Sequence, residues 1–464
     1  MKHFFKATTF VAGFAFLSIS SVALAQSTLV QIVPDDKATT DQVEGTDKAP
    51  AKPVKELSKA AKGFKKYKDF LNGEMDAVGK DDRYGVTAQL PKGYLSIKWD
   101  YTTMSVDSRY NDKHQIGPAM NPFGIGGGQF LNLGLSGKGG GHVFQASYGI
   151  LGNFDWYFEL PYQFMHVRIN PELLDAQQNP IKNPIDPTDK KYAGRMGISK
   201  LYELIPKLGR PVPALRYDAD WVLSDINTGF SWNPWRTKNL STSLTARIFI
   251  PTGRVAAANS NLTMATGPEI DVGVGSWGVG FTSGWDLRLF KYKYWIDIIL
   301  SSEFSASYYF AQKRDYPTNF TTEPSQAALQ AFNDPTAAAQ FPDLRHLKGQ
   351  YTYTPGFGLS WSAQFGIQIA LFGFKFQYGI QHSQAPEIQG DWYFTQMVNS
   401  LQLVGQSTVQ AIGLGASISL LPLYLPIDIA FSWRKMVDGY NSLAMENYYN
   451  VVVKAYIPLN TPKR

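Results

Sequence analysis

Six histidines and no cysteine set the limits of any chemistry in this chain of 464 residues. Without thiols, disulfide scaffolds, Cys-ligated zinc or iron–sulfur sites, thiol catalysis and a bacterial lipoprotein's lipidated cysteine are all excluded. His3 belongs to the first residues, and His114, His142, His166, His346 and His382 are scattered without the spacing of a metal site. The adjacent pair His382-Ser383 invites a hydrolase reading, because an imidazole can activate a serine hydroxyl. Neighbours on a strand point to opposite faces, so this pair predicts no such contact. No G-x-S-x-G stretch supplies another nucleophile. Gly124-Ile125-Gly126-Gly127-Gly128 and Gly137-Lys138-Gly139-Gly140-Gly141 share only their glycine content with phosphate-binding loops. The second lacks Ser or Thr after its Lys, and both read as flexible loop. The sequence therefore predicts no enzyme activity, no metal and no cofactor.

The charged residues that remain follow a different pattern: they alternate with apolar ones. Along Leu95, Ile97, Trp99 and Tyr101 the residues between are Ser96, Lys98, Asp100 and Thr102. The same parity sets Asp155, Glu159 and Gln163 on one face, then Ser243, Thr245 and Arg247, then Asp297, Ser301 and Glu303. It continues with Lys375, Gln377 and Gln381, and with Asp428, Ser432 and Arg434. Period two belongs to a strand. The clearest case runs Phe357, Leu359, Trp361, Ala363, Phe365, Ile367, Ile369, Leu371 against small or polar partners. Winding that uncharged stretch into a membrane helix would spread its Gln and Ser residues around the cylinder, whereas a strand separates them. From Val409 to Ile427, Pro422 and Pro426 interrupt a helix while the flanking residues alternate, so this part reads as strand, turn, strand.

Composition fits that reading. The chain has 18% charged and 14% aromatic residues, with 41 Gly and 27 Pro; soluble domains carry roughly 25% charge. Alternation predicts twelve strands near 93–107, 141–150, 153–169, 222–233, 240–251, 271–289, 293–310, 355–371, 373–384, 408–421, 425–435 and 447–459. Brief turns (Leu151-Gly152, Pro234 to Asn239, Phe290 to Tyr292, Phe372, Pro422 to Tyr424) alternate with long connections at 108–140, 170–221, 252–270, 311–354, 385–407 and 436–446. An even strand count with short turns at one end and long loops at the other is the plan of an outer-membrane barrel. The fold class expected is all-β: a transmembrane antiparallel β-barrel of about twelve strands with long outer loops and a charged N-terminal extension. A soluble sandwich would put a polar face outward, and here the continuous face is apolar and tipped with aromatics. Trp232, Trp235, Tyr292, Tyr294 and Trp295 read as interfacial girdles.

Before the barrel, residues 1–25 read as a secretory signal, with Lys2 and Lys6, an apolar run from Phe10 to Phe16 and Ala23-Leu24-Ala25 before the cut. Residues 26–92 read as a periplasmic linker, mixed in charge and poor in apolar groups. Within it Val54, Leu57, Ala61, Phe64 and Leu71 recur at helical spacing among lysines, predicting a short basic amphipathic helix over 54–71. This segment is a solvated helix, or meets an anionic membrane or a periplasmic partner. Barrel residues are then 93–464. In the long loops, Ile198, Leu201, Leu204, Ile205 and Leu208 predict a helix over Gly197 to Leu208, and 326–332 and 335–341 are Ala-rich and helix-prone. The formal charge of +6 is small for this length and gives no footprint for nucleic acid.

Tyr148-Gly149-Ile150-Leu151-Gly152-Asn153-Phe154, followed by Trp156, Phe158, Glu159, Leu160, Pro161 and Tyr162, resembles the exported barrel family associated with meta-pathway phenol degradation. Ala246 to Arg254, reading ARIFIPTGR, is similar to that family's strand ending in Pro-Thr-Gly, and Ser224-Asp225-Ile226 to its strand-opening Asp. The resemblance covers about Gly93 to the C-terminus and implies an outer-membrane protein passing small aromatic or other hydrophobic compounds. It implies no catalytic residues. The charged extension, the helical loops and the ending Ile457-Pro458-Leu459 with a polar tail depart from the family's pattern.

The expectation is therefore a monomeric channel or facilitator for small hydrophobic or aromatic solutes in the bacterial outer membrane. Its partners are membrane lipid and the solute. The lumen-facing charges Lys98, Asp100, Asp155, Glu159, Arg247, Asp297, Glu303, Lys375 and Arg434 are its candidate path. The alternative is a non-conducting structural or adhesive barrel that binds a partner through its long loops; a lumen sealed by ion pairs would favour it.

Overall fold

The computed structural model describes residues 86–459 apart from 91, 120–121, 208–211, 213, 238, 259–269, 293–295, 319–344, 370, 396–405 and 421–426. The expected signal at 1–25, the basic helix at 54–71, and the stretches 326–332 and 335–341 lie outside the described residues.

The wall is built from β1 (Tyr94–Tyr110), β5 (Leu135–Leu151), β6 (Phe154–Ile169), β8 (Arg216–Leu223), β9 (Ile226–Trp232), β10 (Leu240–Ile250), β11 (Gly278–Tyr292) and β12 (Ile296–Tyr309). It is completed by β15 (Gly358–Ile369), β16 (Phe372–Ser383), β18 (Ser407–Ser419), β19 (Ile427–Tyr440) and β20 (Ser442–Pro458). Each pairs antiparallel with the next in chain order, except that β8 and β9 both pair with β6, and β1 pairs both β5 and β20, so the sheet closes. Fourteen strands form this sheet; β2 (Ile116–Pro118) is a flap on β1, and β8 and β9 share one place against β6, which leaves a twelve-strand barrel. Closure leaves no row of unpaired backbone groups for lipid to desolvate.

Side-chain alternation along the wall is what the sequence dictates. Ile97, Phe144, Phe230, Phe281, Phe304, Phe376 and Phe431 are exposed on the outside, while Lys98, Asp100, Ser243, Ser301 and Gln377 are buried on the inside. Trp232, Trp235 and Tyr292 crowd the short-turn rim, and Trp221, Trp277, Tyr308 and Phe310 the opposite end of the exposed band. Aromatic rings with one polar atom favour that boundary.

Three departures from the expected boundaries have physical causes. Residues 436–446, expected as an outer loop, are a tight hairpin: β19 runs to Tyr440, Asn441 takes φ 46°, and β20 starts at Ser442. Asparagine tolerates that left-handed turn, which alternation alone does not reveal. Phe290 to Tyr292, expected as a turn, extend β11, with a bulge at Arg288/Phe290 restoring the register. The wall position expected at 222–233 is broken at Ser224-Asp225, and β8 continues it outward from there.

Over the long-loop end lie β3 (Phe123–Gly126), β4 (Gln129–Asn132) and β7 (Glu172–Leu174), which form one small sheet, and β13 (Gln312–Asp315), β14 (Gln350–Thr354) and β17 (Glu387–Gln389), which form another. Helix α1 (Tyr192–Lys207) covers the expected helix of Gly197 to Leu208 as far as Lys207 and starts about a turn earlier, Leu208 lying outside the described residues. It buries Ala193, Leu201 and Leu204, at i, i+8 and i+11 on one helical face. Gly197 has no room for a side chain, since a Cβ there would lie 2.5 Å from the Pro171 carbonyl oxygen.

Candidate functional site: the barrel lumen

The inner wall changes chemistry with height. On β1, Lys98 and Asp100 give way to Val106; on β6, Asp155 and Glu159 to Met165, Val167 and Ile169; on β19, Asp428 and Arg434 to Met436. The apolar half merges with the loops above it. Leu131, Leu133, Leu201, Tyr217, Ala219, Ile270 and Val272 pack against Val106, Met165, Val167, Met436 and Met445 in one buried cluster. Burial of that much apolar surface, at about 25 cal/mol per Å², fixes the loops over the mouth.

In the polar half, groups from different strands satisfy one another. The Asn450 amide donates to Asp100, and the Asn227 amide to Glu159 at 2.7 Å. Arg288 Nε donates to Asp297 at 3.1 Å. Asp428 accepts from Ser419 at 2.6 Å and Tyr456 at 2.9 Å. Arg247 lies within electrostatic reach of Tyr157, Glu159, Glu303 and Tyr309, and Lys375 within reach of Arg434 and Asp100. Such groups are retained in a closed interior only with partners, because an uncompensated buried charge is expensive.

The short-turn end of the lumen is occupied by the chain itself. Val86 N and Thr87 N donate to the two oxygens of Asp286 at 3.0 and 2.9 Å, and Thr87 Oγ1 donates to the same carboxylate at 2.6 Å. Leu90 N donates to Asp155 at 2.7 Å. Asn233 and Ser243 side chains donate to the carbonyls of Thr87 and Val86. The final residues of the segment expected to be linker thus lie inside the barrel, held by carboxylates that take backbone N–H groups where a strand neighbour would have done so.

Between the polar floor and the apolar cap, beside β15, β16, β18, β19 and β20, lies a cavity. Gln377, Gly379, Ala411, Arg434, Met436 and Tyr448 line it. The Arg434 guanidinium stands 5.5 Å from the centre of the Tyr448 ring. A molecule held here would meet thioether and ring surface on one side and cationic and amide groups on the other.

All nine charges expected in the lumen are on the inner wall, at the register positions parity gave them. Asp100 lies within electrostatic reach of Lys98, Lys375, Arg434 and Glu159, and Arg247 within reach of Glu159 and Glu303, while Asp155 meets Lys454 and Arg236 and Asp297 pairs with Arg288. Asp286, Lys454 and Asn450 were missed, although Asp286 falls between the outward Trp285 and Leu287 and parity alone would have found it. Residues 86–90 carry no periodic signal, and nothing in them marks an inner lining. His382 bonds Thr408 at 2.9 Å on the outer face while Ser383 is in register with Gly358, so the two side chains diverge.

No family model matches the chain, and no curated protein is similar to it. Solved structures that resemble it include an outer membrane channel from Pseudomonas putida F1, 10% identical with a TM-score of 0.45 over 80% of this chain and 98% of that one. The TodX deltaS2S3 mutant monoaromatic hydrocarbon channel is 7% identical with a TM-score of 0.32, over 80% and 91%. The β domain of the Bordetella autotransporter BrkA is 9% identical with a TM-score of 0.35, over 78% and 100%. By its own geometry the chain is a barrel of the bacterial outer-membrane kind: closed, twelve-stranded, short-turned at one end, with an apolar exterior edged by aromatics.

Proposed function

We propose that this outer-membrane barrel is a channel or facilitator for small hydrophobic or aromatic solutes, of the kind the resemblance to the phenol-degradation family implies. The observation that carries the reading is the cavity inside the wall, bounded above by methionine, valine and alanine and below by hydrogen-bonded charge. A solute leaving water needs an apolar surface first, and a polar path is needed to release it to the periplasm. Lys98, Asp100, Asp155, Glu159, Arg247, Asp297, Glu303, Lys375 and Arg434 are the groups such a solute passes. No catalytic role is assigned to any of them.

The second reading, a non-conducting structural or adhesive barrel, is favoured by the bonding of residues 86–90 across the lumen floor. Single-channel current and flux of a small aromatic solute through the purified protein in a planar bilayer separate the two. Ion current, or solute flux that changes with Arg247→Ala, is the expected result. Silence in both assays from a folded barrel moves the assignment to the non-conducting reading.

A further inference from the structure

Glycines on β18 bring two cations together over one strand. Gly413 and Gly415 face the lumen, in register with Arg434 on β19 and Lys375 on β16 respectively. A Cβ added at Gly415 would lie 2.6 Å from Lys375 Cε, and one at Gly413 3.0 Å from Arg434 Cγ. Each side chain therefore lies across the space its glycine vacates, one from either side of β18. Their approach is close enough that each charge acts on the other, with Asp100 within reach of both. Like charges side by side in a closed wall repel strongly. The arrangement opens onto the space lined by Ala411, Met436, Met445 and Tyr448.

We propose that Lys375 and Arg434, laid over Gly415 and Gly413, form a head-group site for a monoanion with an apolar body, such as an aromatic or aliphatic carboxylate. The carboxylate sits between the two cations, with Arg434 presenting paired N–H donors, and the apolar body lies against the two methionines and the ring. The inference rests on reading the lumen as a solute path and adds the charge of the solute.

The test uses the full chain in lipid nanodiscs, with 2-naphthoate and its uncharged relative 2-methoxynaphthalene as probes, titrated by fluorescence. Naphthoate is expected to bind about tenfold more tightly, and Arg434→Gln and Lys375→Gln each to remove about tenfold from naphthoate alone, the size of one charge-assisted hydrogen bond. Lys138→Gln, on the outer face, serves as the control and leaves both affinities unchanged. Heat-dependent gel mobility confirms that each variant is folded. Equal affinity for the two probes, indifferent to both substitutions, overturns the anion site even if bilayer flux is observed. Naphthoate binding that responds to both substitutions supports it even if flux fails and the channel reading falls.

Discussion

Asp218 shows how single residues hold the outer part of the wall. It accepts from His166 Nδ1 at 2.6 Å and pairs with Arg216, while His166 Nε2 lies 3.4 Å from Asp220. Burial alone would raise its carboxyl, but the bonds from His166 and Arg216 outweigh it and hold Asp218 below the ordinary carboxylate range. A depressed folded value means stability that is present above the unfolded pKa, about 3.9, and lost as pH falls through the folded one. Asp218→Asn is therefore expected to lower the melting temperature at pH 7. That difference should shrink as pH drops below about 4. Thermal unfolding of both proteins across pH 2.5–7 checks this; a constant gap across the series would mean that the loss is steric. None of this network was legible in the sequence. His166 and Asp218 are 52 positions apart, and only the β6–β8 register brings them together.

At the scale of elements, what could be read was what repeats. α1 was visible because Leu201 and Leu204 fall on one helical face, and the same burial makes it testable. Leu201→Ala removes a fully buried side chain, and at roughly 2–4 kcal/mol for such a truncation it should release the helix locally. Limited proteolysis is expected to cut between residues 175 and 215 in the variant and not in the parent, with the barrel itself intact. The segment 86–90 is the opposite case. It has no period, and its fold is dictated by carboxylates elsewhere, so only the structure places it. Asp286→Asn keeps the shape but replaces one acceptor oxygen by a donor that faces Val86 and Thr87 N–H groups. Hydrogen bonds to a charged acceptor contribute about 1.5–3 kcal/mol each, so the segment should loosen. Larger or noisier single-channel steps than the parent's are the expected outcome, and an identical trace would mean that the segment does not obstruct the pore.

For the whole molecule, parity gave the barrel, its twelve wall positions and the inward side of every candidate charge. It did so because a closed sheet between lipid and lumen forces each strand to alternate. The change from polar to apolar along the inner wall was also written there, in Met436 beyond Arg434 and in Val167 beyond Glu159. It is obscured in the sequence because the outer ends of β1, β5 and β19 read there as loop. Which charges meet could not be read, since that depends on the stagger between strands and on glycines such as Gly413 and Gly415 that make room for a neighbour's side chain.

The seam of the barrel lies where Tyr94 pairs with Pro458 and the Leu459 N–H donates to the Gly93 carbonyl at 3.0 Å. Every other wall joint links strands that follow one another along the wall, so this joint alone brings the first strand to the last. The piece of chain just ahead of the first strand must be tucked in before the last strand docks, or be threaded afterwards through the periplasmic rim. The barrel is wrapped around residues 86–90, the stretch that leads into its own first strand.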